Sequence, residues 1–143
     1  MTEARAMIDR LDLAPHPEGG WFRETWRAPG GPDGRSIGTA IWFLLEAGQR
    51  SHWHRVDADE LWLWHAGSPL EVQIGAAEGA GIERVPLGGD VLAGQQPQIR
   101  VPAGRWQATE ARGGWGLVSC VVVPGFDFAG FELAPPGWAP PGD

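Results

Sequence analysis

Two histidines one residue apart, His52 and His54, are followed six residues later by a carboxylate, Glu60, and these three side chains are the chain's best candidates for chemistry. Alternate residues of a β-strand share a face, so an unbroken strand points both imidazoles the same way. A turn at Asp57-Ala58 then brings Glu60 up beside them on the next strand. Two imidazoles and one carboxylate form a facial set suited to a divalent transition metal, with Fe, Mn, Ni and Zn all compatible. In that reading the ion acts as a Lewis acid or, if iron, activates oxygen, while His54 and Glu60 are also the candidate catalytic acid and base.

Around this triplet the sequence offers a pocket. Glu60, Trp62 and Trp64 share one strand parity, placing two indoles on the carboxylate's face, whereas His65 falls on the other. An aromatic-walled pocket around a polar point is the usual form of a small-molecule site, although two indoles on an inward face are as readily core. Gln107 follows the turn Pro102-Ala103-Gly104 and enters a strand, so its amide is a candidate fourth metal ligand or substrate contact. Arg55, with Arg23 and Arg105, is a candidate partner for a ligand anion. His16 and Glu18, in a Pro/Gly-rich stretch, either reach the cavity mouth or fix a turn. Phe126 and Phe128 read as packing, with Asp127 capping a turn.

These residues need short strands to hold them. The 143 residues suffice for one domain, 1–143, and 22 glycines and 13 prolines punctuate short apolar runs throughout. Strands are predicted near 20–27, 36–45, 51–54, 60–65, 70–76, 82–86, 98–101, 106–110 and 116–123. Ala4, Met7, Ile8 and Leu11 fall at helical spacing, which predicts a short amphipathic helix over 3–13 that Pro15 and Pro17 stop. The tail from Ala134 onward reads as an irregular surface strip. The pattern is that of an all-β double-sheet jelly roll with an N-terminal helix, its barrel spanning about 16–133.

Composition excludes several alternatives. A formal net charge of -7 argues against nucleic-acid binding, and small-molecule partners are expected instead. Every basic residue is Arg; the absence of Lys and Tyr rules out a lysine Schiff base and a tyrosine acid. The single cysteine, Cys120, sits in an apolar run, cannot form an internal disulfide, and fits a reducing compartment. No leader or membrane-length apolar run is seen, so a cytoplasmic protein is expected.

The spacing Gly48-x3-His52-x-His54-x5-Glu60-x6-Gly67 resembles the first motif of the cupin superfamily, and Gly94-x7-Pro102-x-Gly104-x2-Gln107-x3-Ala111 resembles the second. The segments His16-Pro17-Glu18-Gly19-Gly20-Trp21, Asp59-Glu60-Leu61-Trp62, Pro102 to Gln107, and Pro124-Gly125-Phe126-Asp127-Phe128 look like those of one small cupin family long catalogued as a domain of unknown function. The resemblance implies a double-stranded β-helix, the cupin jelly-roll barrel, often a homodimer. It assigns metal-ligand roles to His52, His54 and Glu60, and has Gln107 where the superfamily usually has histidine. Three functions stay open: a metal-dependent isomerase or oxygenase, a metal-free epimerase-like protein acting on sugars, and a ligand-binding module without chemistry. A dimer is expected in which the segment from Trp21 to Trp26 covers an otherwise open sheet edge.

Overall fold

The computed structural model describes residues 2–142; Met1 and Asp143, the ends of the expected domain, lie outside them. A helix, α1 (Glu3–Leu11), is capped at its start by Thr2, whose hydroxyl accepts from the Arg5 amide. It ends two residues short of the predicted boundary because Asp12 adopts a left-handed conformation and its amide closes the last turn. Ala4 and Ile8 on its buried face pack with Leu13, Leu44 and Leu117 against the back of a sheet.

Eleven strands follow: β1 (Ala14–Pro15), β2 (Trp21–Arg27), β3 (Thr39–Leu45), β4 (Arg50–Val56), β5 (Asp59–Gly67), β6 (Leu70–Gly75), β7 (Ile82–Leu87), β8 (Gln98–Val101), β9 (Gln107–Glu110), β10 (Gly116–Val123) and β11 (Phe131–Leu133). They form two antiparallel sheets, in the orders β1-β2-β3-β10-β5-β8 and β11-β4-β9-β6-β7. The chain crosses repeatedly between the sheets, giving the all-β jelly roll that the turn spacing predicts. Alternation along the strands fills the space between them, with Phe43, Leu45, Trp62, Val72, Leu87 and Val118 in the central core. Among the described residues no helix is long and apolar enough to cross a membrane.

One irregularity governs the site. Ser51 faces Thr109 and His54 faces Gln107, so two residues of β4, His52 and Trp53, stand opposite the single residue Ala108 of β9. This is a β-bulge, and it reverses the parity of everything before it on the strand. Ser51 and His54 therefore both turn inward, at 0% and 2% exposure. Trp53 is buried on the opposite side, under the C-terminal strip, where Ala134 joins it in a small cluster flanked by Trp106 and Trp138. The strip is irregular as expected, yet it is fastened down by the Ala134 amide, which donates to the Trp53 carbonyl.

Candidate functional site

A cavity of about 420 Å³ opens between the sheets at one end of the barrel, a size typical of small-molecule sites. Glu18, His54, Glu60 and Cys120 line it together with His16; Phe22, Ile41, Val56, Val122 and Phe131 form apolar walls, and Glu24, Arg27, Arg35, Asp127 and Phe128 also contribute to the lining.

Glu18 reaches the cavity on a strap, residues 16–20, that crosses β4. The His52 amide donates to the Glu18 carbonyl at 2.7 Å and the His16 amide to the Gly20 carbonyl at 2.9 Å. Gly19 has φ +106°, and a Cβ there would overlap the Arg50 carbonyl oxygen, so only glycine lets the strap lie this close. The Glu18 carboxyl accepts from the Ser51 hydroxyl at 3.2 Å and stands 3.1 Å from His54 Nε2. His54 Nδ1 donates to the His52 carbonyl at 2.7 Å, which leaves Nε2 as the ring's lone pair. A proton must lie between Nε2 and the carboxyl. Burial places it on Glu18, whose pKa rises to about 8, while burial lowers that of His54. The pair is thus a neutral carboxyl donating to a neutral imidazole.

His16 is held the same way from behind. Its Nδ1 accepts from the Glu18 amide at 3.1 Å, its ring meets Phe22 edge-on at 4.5 Å, and burial with the nearby His54 lowers its pKa to about 4. Glu60, at the start of β5, is fixed from the core. Gln107 Nε2 donates to Glu60 Oε1 at 2.8 Å, and the Trp62 indole N–H donates to Gln107 Oε1 at 3.0 Å. Burial lifts the Glu60 pKa to about 7, against the opposing influence of His54 and the Gln107 and Cys120 hydrogen bonds. Cys120, on β10, is itself pushed well above the usual thiol range by burial and by both carboxyls.

The structure brings His54, Glu60 and Glu18 together as candidates and removes others. His52 is not in the cavity: the bulge turns it outward, where Nε2 donates to the Pro135 carbonyl at 2.9 Å. Gln107 does not present an oxygen to a ligand, because Trp62 occupies it. Trp62 shares the face of Glu60 but is core, with 0% exposure. Trp64 is likewise packed against the core, its N–H on the Ser68 carbonyl. Arg55 lies outside the cavity, bonded to Glu132 and stacked 4.6 Å from the Trp106 ring centroid. The expected metal set of His52, His54, Glu60 and Gln107 therefore does not fit an ion, and among the described residues no three His, Cys, Asp or Glu side chains stand together as a metal site.

Ser51, Cys120, Arg27 and Arg35 were not legible as site residues. Cys120 shares its strand parity with Val118 and Val122, but that it stands opposite Trp62 beside Glu60 depends on the β10-β5 register. Arg27 closes on Glu24 through two hydrogen bonds of 2.8 Å. Arg35 does so on Asp57 at 2.8 and 3.0 Å and also donates to the Gly125 carbonyl.

Residues 5–134 match the family described as Cupin superfamily (DUF985). The chain belongs to that family. A hypothetical protein from Leishmania major is 34% identical over 93% of this chain and 88% of its own, with a TM-score of 0.83. A Shewanella oneidensis protein is 39% identical over 94% of this cupin and 85% of its own chain, with a TM-score of 0.86. Oxalate decarboxylase from Bacillus subtilis, 16% identical, aligns over 86% of this cupin and 30% of its own chain at a TM-score of 0.62, a likeness of fold alone. The Staphylococcus aureus capsular polysaccharide assembling protein CapF, also 16% identical, covers 85% of this cupin and 33% of itself at 0.64. No curated protein matches.

Proposed function

We propose that this cupin binds a small organic molecule in its cavity and moves a proton on it, as an isomerase or epimerase does, with Glu60 as base and the Glu18–His54 pair as acid. The observation that carries this reading is a pair of buried carboxyls lining the same cavity whose pKa values are raised to about 7 and about 8. A group near 7 exists in both protonation states at neutral pH, which suits it to general acid–base work. Glu60 in its carboxylate form takes a proton from a carbon next to a carbonyl. The proton that Glu18 shares with His54 passes to the developing oxyanion, or to the opposite face of the carbon, and the Ser51 hydroxyl donates to the carboxylate that remains. Gln107 and Trp62 hold Glu60 in place and water is limited by the apolar walls.

The test is exchange of carbon-bound hydrogen with deuterated solvent, read by mass spectrometry over a panel of hydroxy-ketones and sugars. Exchange is expected with the chain as purified and after chelator treatment, and its loss is expected in Glu60→Gln. Exchange that chelation abolishes and one added metal restores would replace this reading with the metal-dependent one, and no exchange across the panel would favour a binding module.

A second copy of the chain belongs to the same reading. β1 pairs only with Trp21 and Phe22 of β2, so the outer edge of β2 from Arg23 to Arg27 is unpaired. Trp26 of β2 is exposed, and with Ile37 and Val123 it surrounds Gly38 next to β2, a patch that a second copy paired along the free edge would adjoin.

A further inference from the structure

We infer that the molecule taken by this cavity is uncharged and amphiphilic: a small ring compound bearing a hydroxyl or carbonyl group, in preference to an organic acid or an amine. The inference rests on the proton-transfer reading for which end of the molecule enters first, and its grounds are the charges that the cavity does and does not offer.

Among the described residues the cavity lining holds two guanidinium groups, Arg27 and Arg35, and two imidazoles, His16 and His54. His16 Nδ1 accepts from the Glu18 amide, which requires a neutral ring, and His54 Nδ1 donates to the His52 carbonyl, which leaves only Nε2 toward the cavity, where it faces Glu18. Burial keeps both rings neutral. The two guanidinium groups of the lining are already matched, Arg27 by Glu24 and Arg35 by Asp57, each through paired hydrogen bonds. An anionic ligand would have to displace a carboxylate that is held in bidentate fashion, gaining no more than it broke. It would also meet Glu60 and Asp127 in the same lining.

A cation fares no better at the inner end. Glu18 there is a carboxyl group whose proton is committed to His54, and Glu60 is partly protonated at neutral pH. The rest of the wall is Phe22, Ile41, Val56, Val122 and Phe131, which return none of the hydration that an ammonium leaves behind. An uncharged hydroxyl or carbonyl needs much less. A hydroxyl donates to Glu60, a carbonyl accepts from the Glu18 O–H when that turns from His54 to the ligand, and the ring lies against Phe131 and Val122.

An isosteric trio tests this: benzyl alcohol, benzoate and benzylammonium, titrated into the full chain at pH 7 and followed by NMR shifts of the Phe131 and Cys120 amides. The alcohol is expected to bind in the millimolar range and each ion about tenfold or more weaker, a difference of about 1.4 kcal/mol. Tighter binding of either ion, or no shift with the alcohol at about 20 mM, overturns the inference. The outcome is separable from that of the proposed reaction. Alcohol binding without deuterium exchange on any panel member removes the reaction and leaves the ligand class, while exchange confined to acids or amines keeps the reaction and removes the class.

Discussion

Gln107 holds Glu60 with its amide nitrogen at 2.8 Å only because Trp62 claims its amide oxygen at 3.0 Å, so an indole in the core sets which way a cavity carboxyl points. With 1% exposure, the Gln107 amide has no water to fall back on. Gln107→Leu leaves the Trp62 N–H without a partner and the Glu60 carboxyl with Cys120 in place of two donors, and is expected to cost about 2–4 kcal/mol in denaturant unfolding. Because the lost bond favoured the carboxylate, the Glu60 pKa should also rise, seen as a shifted carboxyl-carbon titration by NMR. An unchanged titration would separate Gln107 from Glu60.

His52 and His54 are neighbours in sequence and strangers in space. His54→Ala removes the partner of the Glu18 proton and should abolish deuterium exchange, whereas His52→Ala loses one bond to the Pro135 carbonyl and should keep it, at a stability cost of about 1 kcal/mol. The comparison is made on the two purified variants side by side. Equal loss in both would restore the metal-type pairing of the two imidazoles.

What was legible in the sequence, and what was not, follows from the same strand. Alternation and turn residues are local, so the strands from β2 to β10 and the inward face of Glu60 and Trp62 can be read from them. The bulge at His52-Trp53 is not local: it exists because Ala134 and Trp138 cover Trp53 on one side while Glu18 takes the His52 amide on the other. Reading β4 as unbroken therefore put His52 in the cavity and left Ser51 out. Glu18 could be read as reaching the cavity mouth, but not as the partner of His54, since that approach is made by a strap whose path depends on Arg50. The resemblance to cupins gave the barrel correctly; its usual ligand pattern did not carry over, because Gln107 is committed to Trp62.

The buried acids should make the protein lose stability toward mild alkali. Glu18 and Glu60 have folded pKa values raised from 4.5 to about 8 and about 7, so the folded chain retains protons that the unfolded chain has lost, and stability falls as pH rises to about 8. His16, lowered from 6.5 to about 4, works oppositely, adding stability as pH rises through that lower window. His54, also lowered by burial, acts with His16, so below pH 6.5 the two histidines oppose the two carboxyls, and from there to pH 8 only the carboxyls act. Thermal unfolding should show Tm falling between pH 6.5 and 8, and falling less in the Glu18→Gln, Glu60→Gln double variant. A Tm that is flat over this window, or the same slope in both proteins, would mean that these carboxyls are ionised without strain.

The free edge of β2 predicts an oligomer. Light scattering at micromolar concentration should give about twice the 15.4 kDa of one chain, and Trp26→Glu, placing a charge in the exposed patch beside the edge, should return it to monomer without unfolding. A monomer in the unaltered chain would leave that edge to other protection, such as the charge of Arg23.

Gly19 offers the most direct control over the site from outside it. Its φ of +106° disfavours any side chain, and a Cβ would meet the Arg50 carbonyl, so Gly19→Ala must push the strap away from β4. The displaced strap carries Glu18 with it and breaks the contact with His54. The expected cost is about 2–4 kcal/mol of stability, with the His54 pKa moving toward its ordinary value as water enters. Crystal or NMR structures of this variant with its histidine titrations would check both. If stability fell while the His54 titration stayed where it was, Glu18 would be held by Ser51 and the core, and the strap would be only its carrier.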